Sequence, residues 1–280
     1  MHGLPERIEI KSVDEIALMR RAGLVVARAL REMAAAVKPG VSTGELDAIA
    51  RDVLKDEGAT SSFLDYDIGN GPFPAVICAS RNDRVVHGIP TPEEELVDGD
   101  VLSLDFGAIV EGWHGDAAVT VCVGEVDPEV RTMSDACRDS LWDGLGAVRA
   151  GGRLGDISHA VEKSIRAAGT YGIVAGYGGH GIGSRMHMDP HILNYGREGK
   201  GPRLHPGMAL AIEPMITLGS RATQELDDGW TVSTVDGSPS AHWEHTVAIM
   251  TDGPWVLTAE DGGRAELAER GVTVSAAASG

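Results

Sequence analysis

"PGVSTGELDAIARDVLKDEG", residues 39–58, is a glycine stop, a short link, a capped helix and a closing glycine. The same order returns at residues 151–169 as "GGRLGDISHAVEKSIRAAG". In the first copy Ser42 with Glu45 makes a capping box, and Leu46, Ile49 and Val53 follow at helical spacing. In the second, Asp156 is placed as the cap, with Ile157, Val161, Ile165 and Ala168 on one face. Another helix precedes each copy. Ser12 and Glu15 cap the first; Ile16, Met19, Gly23, Val26, Leu30, Met33 and Val37 recur at three and four until Lys38-Pro39-Gly40 stops it. Asp127-Pro128 opens the other, an N-cap with proline at the first helical position, running to Gly151-Gly152. Strand-like segments follow each pair: "AVICAS" (75–80), "DVLSLDFGAIV" (100–110) and "HGDAAVTVCVG" (114–124), then "MALAIEPMIT" (208–217), "WTVSTVDG" (230–237) and "HWEHTVAIM" (242–250). Two halves, each helix-helix then strands, predict an internal duplication of the α+β class. One domain is expected over residues 1–265, and residues 266–280 read as a loosely held tail.

The bulk numbers exclude several function classes. The chain has 280 residues, 42% of them hydrophobic and 24% charged, enough for a substantial core. A net charge of −18 argues against nucleic acid binding of its own, which needs a basic footprint. No apolar run is long enough for a membrane helix, and "MHGLPERIEIKSVDE" has no apolar secretory core. Cys78, Cys122 and Cys137 form no CxxC pair, so neither a disulfide framework nor a zinc knuckle is indicated. The expected compartment is the cytoplasm.

Several carboxylates stand where apolar residues belong. A turn at Glu111-Gly112 would fold residues 100–124 into a hairpin with Asp116 opposite Gly107. Asp105 is then its diagonal neighbour on the same face, roughly 7–8 Å away, while Leu102, Leu104 and Phe106 fill the other face. Two like charges so placed repel unless a cation lies between them. Glu213 interrupts "ALAIEPMIT" and Glu244 interrupts "AHWEHTVAIM". A carboxylate in such a setting must be paired, protonated or bound to a metal. Four carboxylates and one imidazole suit two oxygen-seeking divalent cations better than one zinc.

Among ten histidines, His2, His159, His191 and His205 receive no role, and His114 and His242 stay doubtful beside candidate ligands. His87 lies where a strand gives way to Gly-Ile-Pro. "GYGGHGIGSRMHMDP" (176–190) carries His180 and His187 on a glycine-rich backbone. It is not a phosphate loop, having no GK[ST], and neither HExxH nor GxSxG occurs anywhere. Positions seven apart on a regular strand face opposite ways. Gly181 and Gly183 are expected to permit an irregular path that turns both imidazoles inward.

Taken in order, VVHGIP, LDFG…HGDAAV, GYGGHGIG…MH, AIEPM and WEHT resemble the methionine aminopeptidases, type I, of peptidase family M24, over about residues 8–262. The resemblance implies a "pita-bread" fold with a pseudo-twofold axis. It implies that Asp105 ligates one metal, that His180 and Glu213 ligate the other, and that Asp116 and Glu244 bridge. The cofactors would be two divalent metal ions (Co, Mn, Fe or Zn). His87 and His187 match the non-ligand histidines that contact substrate, and Glu213 would carry the proton to the leaving amine. Phe73, Cys78, Met186, His87 and Trp230 match the walls of a methionine pocket; Phe73 and Met186 stand where many bacterial members have Tyr and Phe. The implied reaction is removal of N-terminal methionine ahead of a small, uncharged residue, by attack of a metal-activated water. The implied partners are nascent polypeptide N-termini after deformylation, with a monomer expected, no membrane, and ribosome association left open. Only 25 residues separate His187 from Glu213, which favours type I over type II with its helical insertion there.

The nearest rival is an Xaa-Pro aminopeptidase or prolidase, which shares the metal ligands but usually carries an extra N-terminal domain that this length does not hold. A metal-free binding module is a second rival, disfavoured because all five ligands are present. His2 is too large for the site beyond the scissile bond, so the chain is expected to keep its own Met1.

Overall fold

The computed structural model describes residues 8–279; Met1 and His2, on which the expected retention of Met1 rests, lie outside them. The first pair of helices is α1 (Val13–Ala36) and α2 (Thr43–Glu57), both opened by the predicted capping boxes and α2 closed by left-handed Gly58. The second pair is α3 (Pro128–Gly146) and α4 (Leu154–Ala168). α3 starts as predicted, with Asp127 accepting from the Glu129 amide at 2.8 Å, but ends at Gly146 rather than Gly151. α4 starts before Asp156. Arg153 is the N-cap position, and Asp156, three residues on, accepts from the Arg153 amide at 2.9 Å and the Gly199 amide at 2.8 Å. The aspartate acts from inside the first turn, where a negative charge also suits the helix dipole.

One antiparallel sheet spans both halves. Its strands run in the order Thr60–Ser61, Val101–Val110, Trp113–Cys122, Glu244–Ile249, Ala209–Ile212, Gly179–Gly181 and Met188–Ile192, with Ile77–Arg81 also on Val101–Val110 and Pro254–Val256 also on Glu244–Ile249. The halves meet where Glu244 pairs with Ala118. The first hairpin turns through Glu111 (φ 50°) and Gly112 (φ 85°), the pair of left-handed residues a two-residue hairpin turn demands. Its register is the predicted one, Gly107 opposite Asp116.

Helices cover one face of this sheet. Leu102, Leu104, Phe106 and Ala117 pack under α1 and α2 in one cluster. Leu210, Ile212, Val247 and Ile249 pack with α3 and α4 in another. Alternation then sends the intervening residues to the opposite face, where the carboxylates stand. The described residues beyond 265 are not a loose tail. α5 (Arg264–Glu269) buries Leu267 completely, and Val272 and Val274 pack on the second cluster. Ser275 Oγ donates to Asp252 at 2.7 Å. Its few large apolar residues are spaced among Ala, Ser and Gly, which hid their docking face in the sequence.

Candidate metal centre and substrate cavity

Register places the acidic side chains. Cys78 lies opposite Asp105, Asp105 opposite Ala118, and Ala118 opposite Glu244. Neighbouring strands are roughly 4.8 Å apart, so the small Ala118 leaves room between two carboxylates. Asp116 is two residues from Ala118 and shares its face. Its backbone is clamped by Thr246, whose Oγ1 accepts from the Asp116 amide at 3.1 Å and donates to its carbonyl at 2.8 Å. His180 pairs with Ala211, two residues before Glu213.

The second half delivers its acids at breaks. "MALAIEPMIT" splits into Ala209–Ile212 and Met215–Thr217 at Glu213-Pro214, and the last segment splits into Ser240–His242 and Glu244–Ile249 at Trp243. The buried Cys137 thiol of α3 lies 3.2 Å from the Pro214 carbonyl, which also accepts from the Trp243 amide at 3.3 Å, and 3.5 Å from the Ala241 carbonyl. Asn194 Nδ2 donates to the Glu213 carbonyl at 2.9 Å.

The result is a cluster of buried acids around imidazoles. His180 Nε2 is 3.5 Å from Glu213 Oε1 and 4.0 Å from Asp116 Oδ2. His180 Nδ1 donates to the Gly181 carbonyl at 3.0 Å, which leaves the Nε2 lone pair facing the acids. Burial first, and mutual repulsion second, push the carboxyls of Asp105, Glu213 and Glu244 well above their ordinary range. Burial raises Asp116 to about 7, with Asp105 sharing its proton towards it. Burial also lowers His180 to about 3, so its imidazole is neutral. Buried Asp105 Oδ1, Asp116 Oδ1 and Glu244 Oε1 have no hydrogen-bond partner. Unpartnered carboxylate oxygens at such depth are the signature of a site shaped for cations. Asp116, His180 and Glu244 can hold an ion together, as can Glu213, His242 and Glu244, each set having its ligand atoms within 4.8 Å of one another. Glu244 belongs to both sets; Asp105 stands beside Asp116.

All the residues singled out in the sequence line one cavity of about 530 Å³. Phe73, Cys78, Met186 and Trp230 form its apolar wall together with Phe63. Phe73 meets Trp230 edge-on at 5.2 Å, and His87 meets Trp230 edge-on at 6.3 Å. His87 is held in a left-handed backbone (φ 59°), and a Cβ on the following Gly88 would run into the Ala79 carbonyl. The His187 and His180 rings meet edge-on, ring centres 4.4 Å apart. Gly181 does not supply a left-handed turn: a side chain there would strike the Asp189 carbonyl, so close strand approach is what it permits. His114 is elsewhere, bonded to Ser62 Oγ at 2.9 Å, while His191 does reach the cavity rim.

Two residues were missed or left open. Tyr66 comes from the irregular loop "SSFLDYDIGNGPFP", which carries no periodicity to flag it. Its hydroxyl lies 2.7 Å from His187 Nδ1. His242 is fully buried within the acid cluster. Its signal was present in the sequence: a histidine two residues before a buried glutamate shares that glutamate's strand face.

Residues 17–251 match metallopeptidase family M24. The chain is 54% identical over 253 residues to methionine aminopeptidase 1 of Mycobacterium tuberculosis (strain CDC 1551 / Oshkosh), covering 89% of this chain and 94% of that one. The solved methionine aminopeptidase of Thermotoga maritima superposes with a TM-score of 0.87 at 39% identity, over 90% of this chain and 99% of that one. The prolidase of Pyrococcus furiosus shares the fold at a TM-score of 0.69 and 20% identity, over 89% of this chain and 65% of that one. No described helix is long and apolar enough to cross a membrane. Near-complete coverage at such identity, joined to a cluster of buried acids in the same cavity, places this chain in metallopeptidase family M24, among the bacterial type I methionine aminopeptidases.

Proposed function

We propose that the chain cleaves methionine from peptides and deformylated nascent chains whose second residue is small and uncharged, acting as a cytoplasmic monomer. The observation that carries the reading is an acid-and-imidazole floor joined to an apolar wall within one cavity. Asp105, Asp116, His180, Glu213 and Glu244 would hold two divalent ions, Co, Mn, Fe or Zn. Such ions supply Lewis acidity and a water that loses its proton near neutral pH.

The chain's own groups do the rest. Phe73, Cys78, Met186 and Trp230 enclose an unbranched thioether, whose flexible sulfur chain suits an irregular aromatic pocket. With the Tyr66 hydroxyl, 2.7 Å from His187 Nδ1, acting as the donor, the His187 proton sits on Nε2, free to donate to the carbonyl oxygen as charge develops there. His87, neutral because burial lowers it to about 4, orients the substrate from the Trp230 side. Glu213, the carboxylate beside the water that gives up its proton, carries that proton to the leaving amine.

The test is hydrolysis of Met-Ala-Ser, Met-Leu-Ser and Ala-Pro-Gly by protein stripped of metal and resupplied with each ion in turn. The expected order is Met-Ala-Ser first, with little turnover of the other two. Preferential cleavage of Ala-Pro-Gly would overturn the reading.

A further inference from the structure

His242 is buried and belongs to no accepted role so far. Its backbone is pinned by the first hairpin: Ser103 Oγ and Thr120 Oγ1 accept from its amide at 3.2 and 3.0 Å, and Thr120 Oγ1 donates to its carbonyl at 2.7 Å. The ring, by contrast, presents an Nε2 that is buried and has no hydrogen-bond partner. That atom faces Glu213 Oε2 at 3.8 Å and Glu244 Oε2 at 3.7 Å.

Those distances are too long for hydrogen bonds. They fit donors that share an ion. Atoms about 2.0–2.1 Å from one cation stand roughly 3 to 4.2 Å from each other, depending on the angle between them. His180 Nε2, at 3.5 Å from Glu213 Oε1, has the same relation to the other oxygen of the same glutamate. Glu213 therefore lies between two imidazoles, each aimed at one of its oxygens. We propose that His242 is a sixth metal ligand, binding through Nε2 the divalent ion that Glu213 and Glu244 also hold.

This rests on the two-ion reading above and deepens it. With His242 included, the ion that His180 and Glu213 hold gains a second nitrogen donor, while the ion on the Asp105 side keeps oxygen donors alone. A second imidazole shifts the preference of that ion from Mn towards Co and Zn.

The experiment uses the full chain loaded with one and then two equivalents of Co(II). Proton NMR with ring-labelled histidine counts the hyperfine-shifted imidazoles, and calorimetry reads each equivalent. Wild type should show two shifted rings at two equivalents; His242→Gln should show one and bind one equivalent about tenfold or more weaker. The wild-type count needs no variant, so a His242→Gln protein that failed to fold would leave the result standing. A single shifted ring in wild type, or unchanged binding of both equivalents by His242→Gln, overturns the proposal. His180→Ala separates this from the underlying reading: unchanged metal binding in that variant would sink the two-ion centre itself, whereas its loss beside an unaffected His242→Gln would sink only the sixth ligand.

Discussion

In the first half of the molecule Asp105 and Asp116 stand on two unbroken strands of ten residues each; in the second, Glu213 and Glu244 stand at the ends of strands of four and six. The frame is duplicated, but the means of delivery differ. The hairpin sets its two acids by register alone, with a small residue between them and Glu244. The other half breaks its strands at Glu213-Pro214 and at Trp243, where the Trp243 amide and the Cys137 thiol both donate to the Pro214 carbonyl. A regular strand fixes where a side chain stands but repeats every second residue. A break frees one residue from that alternation, at the cost of backbone groups that need new partners.

The contrast is open to direct attack, most forcefully at the acids. Asp116→Asn removes the donor at the clamped centre of the hairpin, and Glu213→Gln removes the one at a break. Each should lower kcat/KM by more than the roughly 10–100-fold that loss of a partner behind a ligand costs. Asp116→Asn should also lose the metal, measured by atomic emission after dialysis. Retained metal in that variant would break the equivalence of the halves.

The next effect is a pH dependence of the metal-free protein. Raised carboxyls keep their protons in the folded state, so their stabilisation is full at low pH and is lost as pH rises through the folded values, about 7 for Asp116 and well above the ordinary range for Asp105, Glu213 and Glu244. The depressed histidines act oppositely, adding stability as pH rises towards their ordinary 6.5. Above about 6.5 only the carboxyl effect remains, so the Tm of chelated protein should fall there as pH rises. Cations should flatten the slope, because they take over from the protons. A Tm that climbs with pH in the chelated protein would contradict the protonated-acid account.

The smallest effect concerns how each half seats its helices. A Cβ on Gly23 of α1 would run into the Leu257 carbonyl, whereas on Gly144 of α3 it would meet a Val161 methyl. Gly23→Ala should therefore cost about 1–3 kcal/mol in urea unfolding. Gly144→Ala should cost less, since the clash is with a side-chain methyl rather than with backbone and alanine in a helix returns about 0.5–1 kcal/mol. Equal losses would show that both helix pairs are packed with equal tightness.

What was legible in the sequence follows the same division. The capping boxes of α1 and α2, the Asp127-Pro128 start and the hairpin register are local signals, each decided by a few neighbouring residues, and each holds. The acids were visible as polar residues in apolar runs. The breaks at Glu213 and Trp243 were not, because apolar residues continue on both sides. Asp156 was misread as a cap because the true cap, Arg153, contributes no side-chain oxygen. Tyr66 depends on a contact with His187, 121 positions away; for His242 the parity with Glu244 was visible, but its partners Ser103 and Thr120 lie far off in the first hairpin. No local pattern encodes such distances.

The left-handed backbone of His87 bears on how its side chain can be studied. Outside glycine this conformation costs roughly 1–2 kcal/mol, and asparagine tolerates it best. An alanine at 87 would change two things at once, deleting the imidazole and leaving a residue with less reason to hold the turn. Asparagine deletes the same ring while keeping the backbone content. The difference in Tm between His87→Ala and His87→Asn therefore gauges the conformational strain alone, and their common loss of activity gauges the ring.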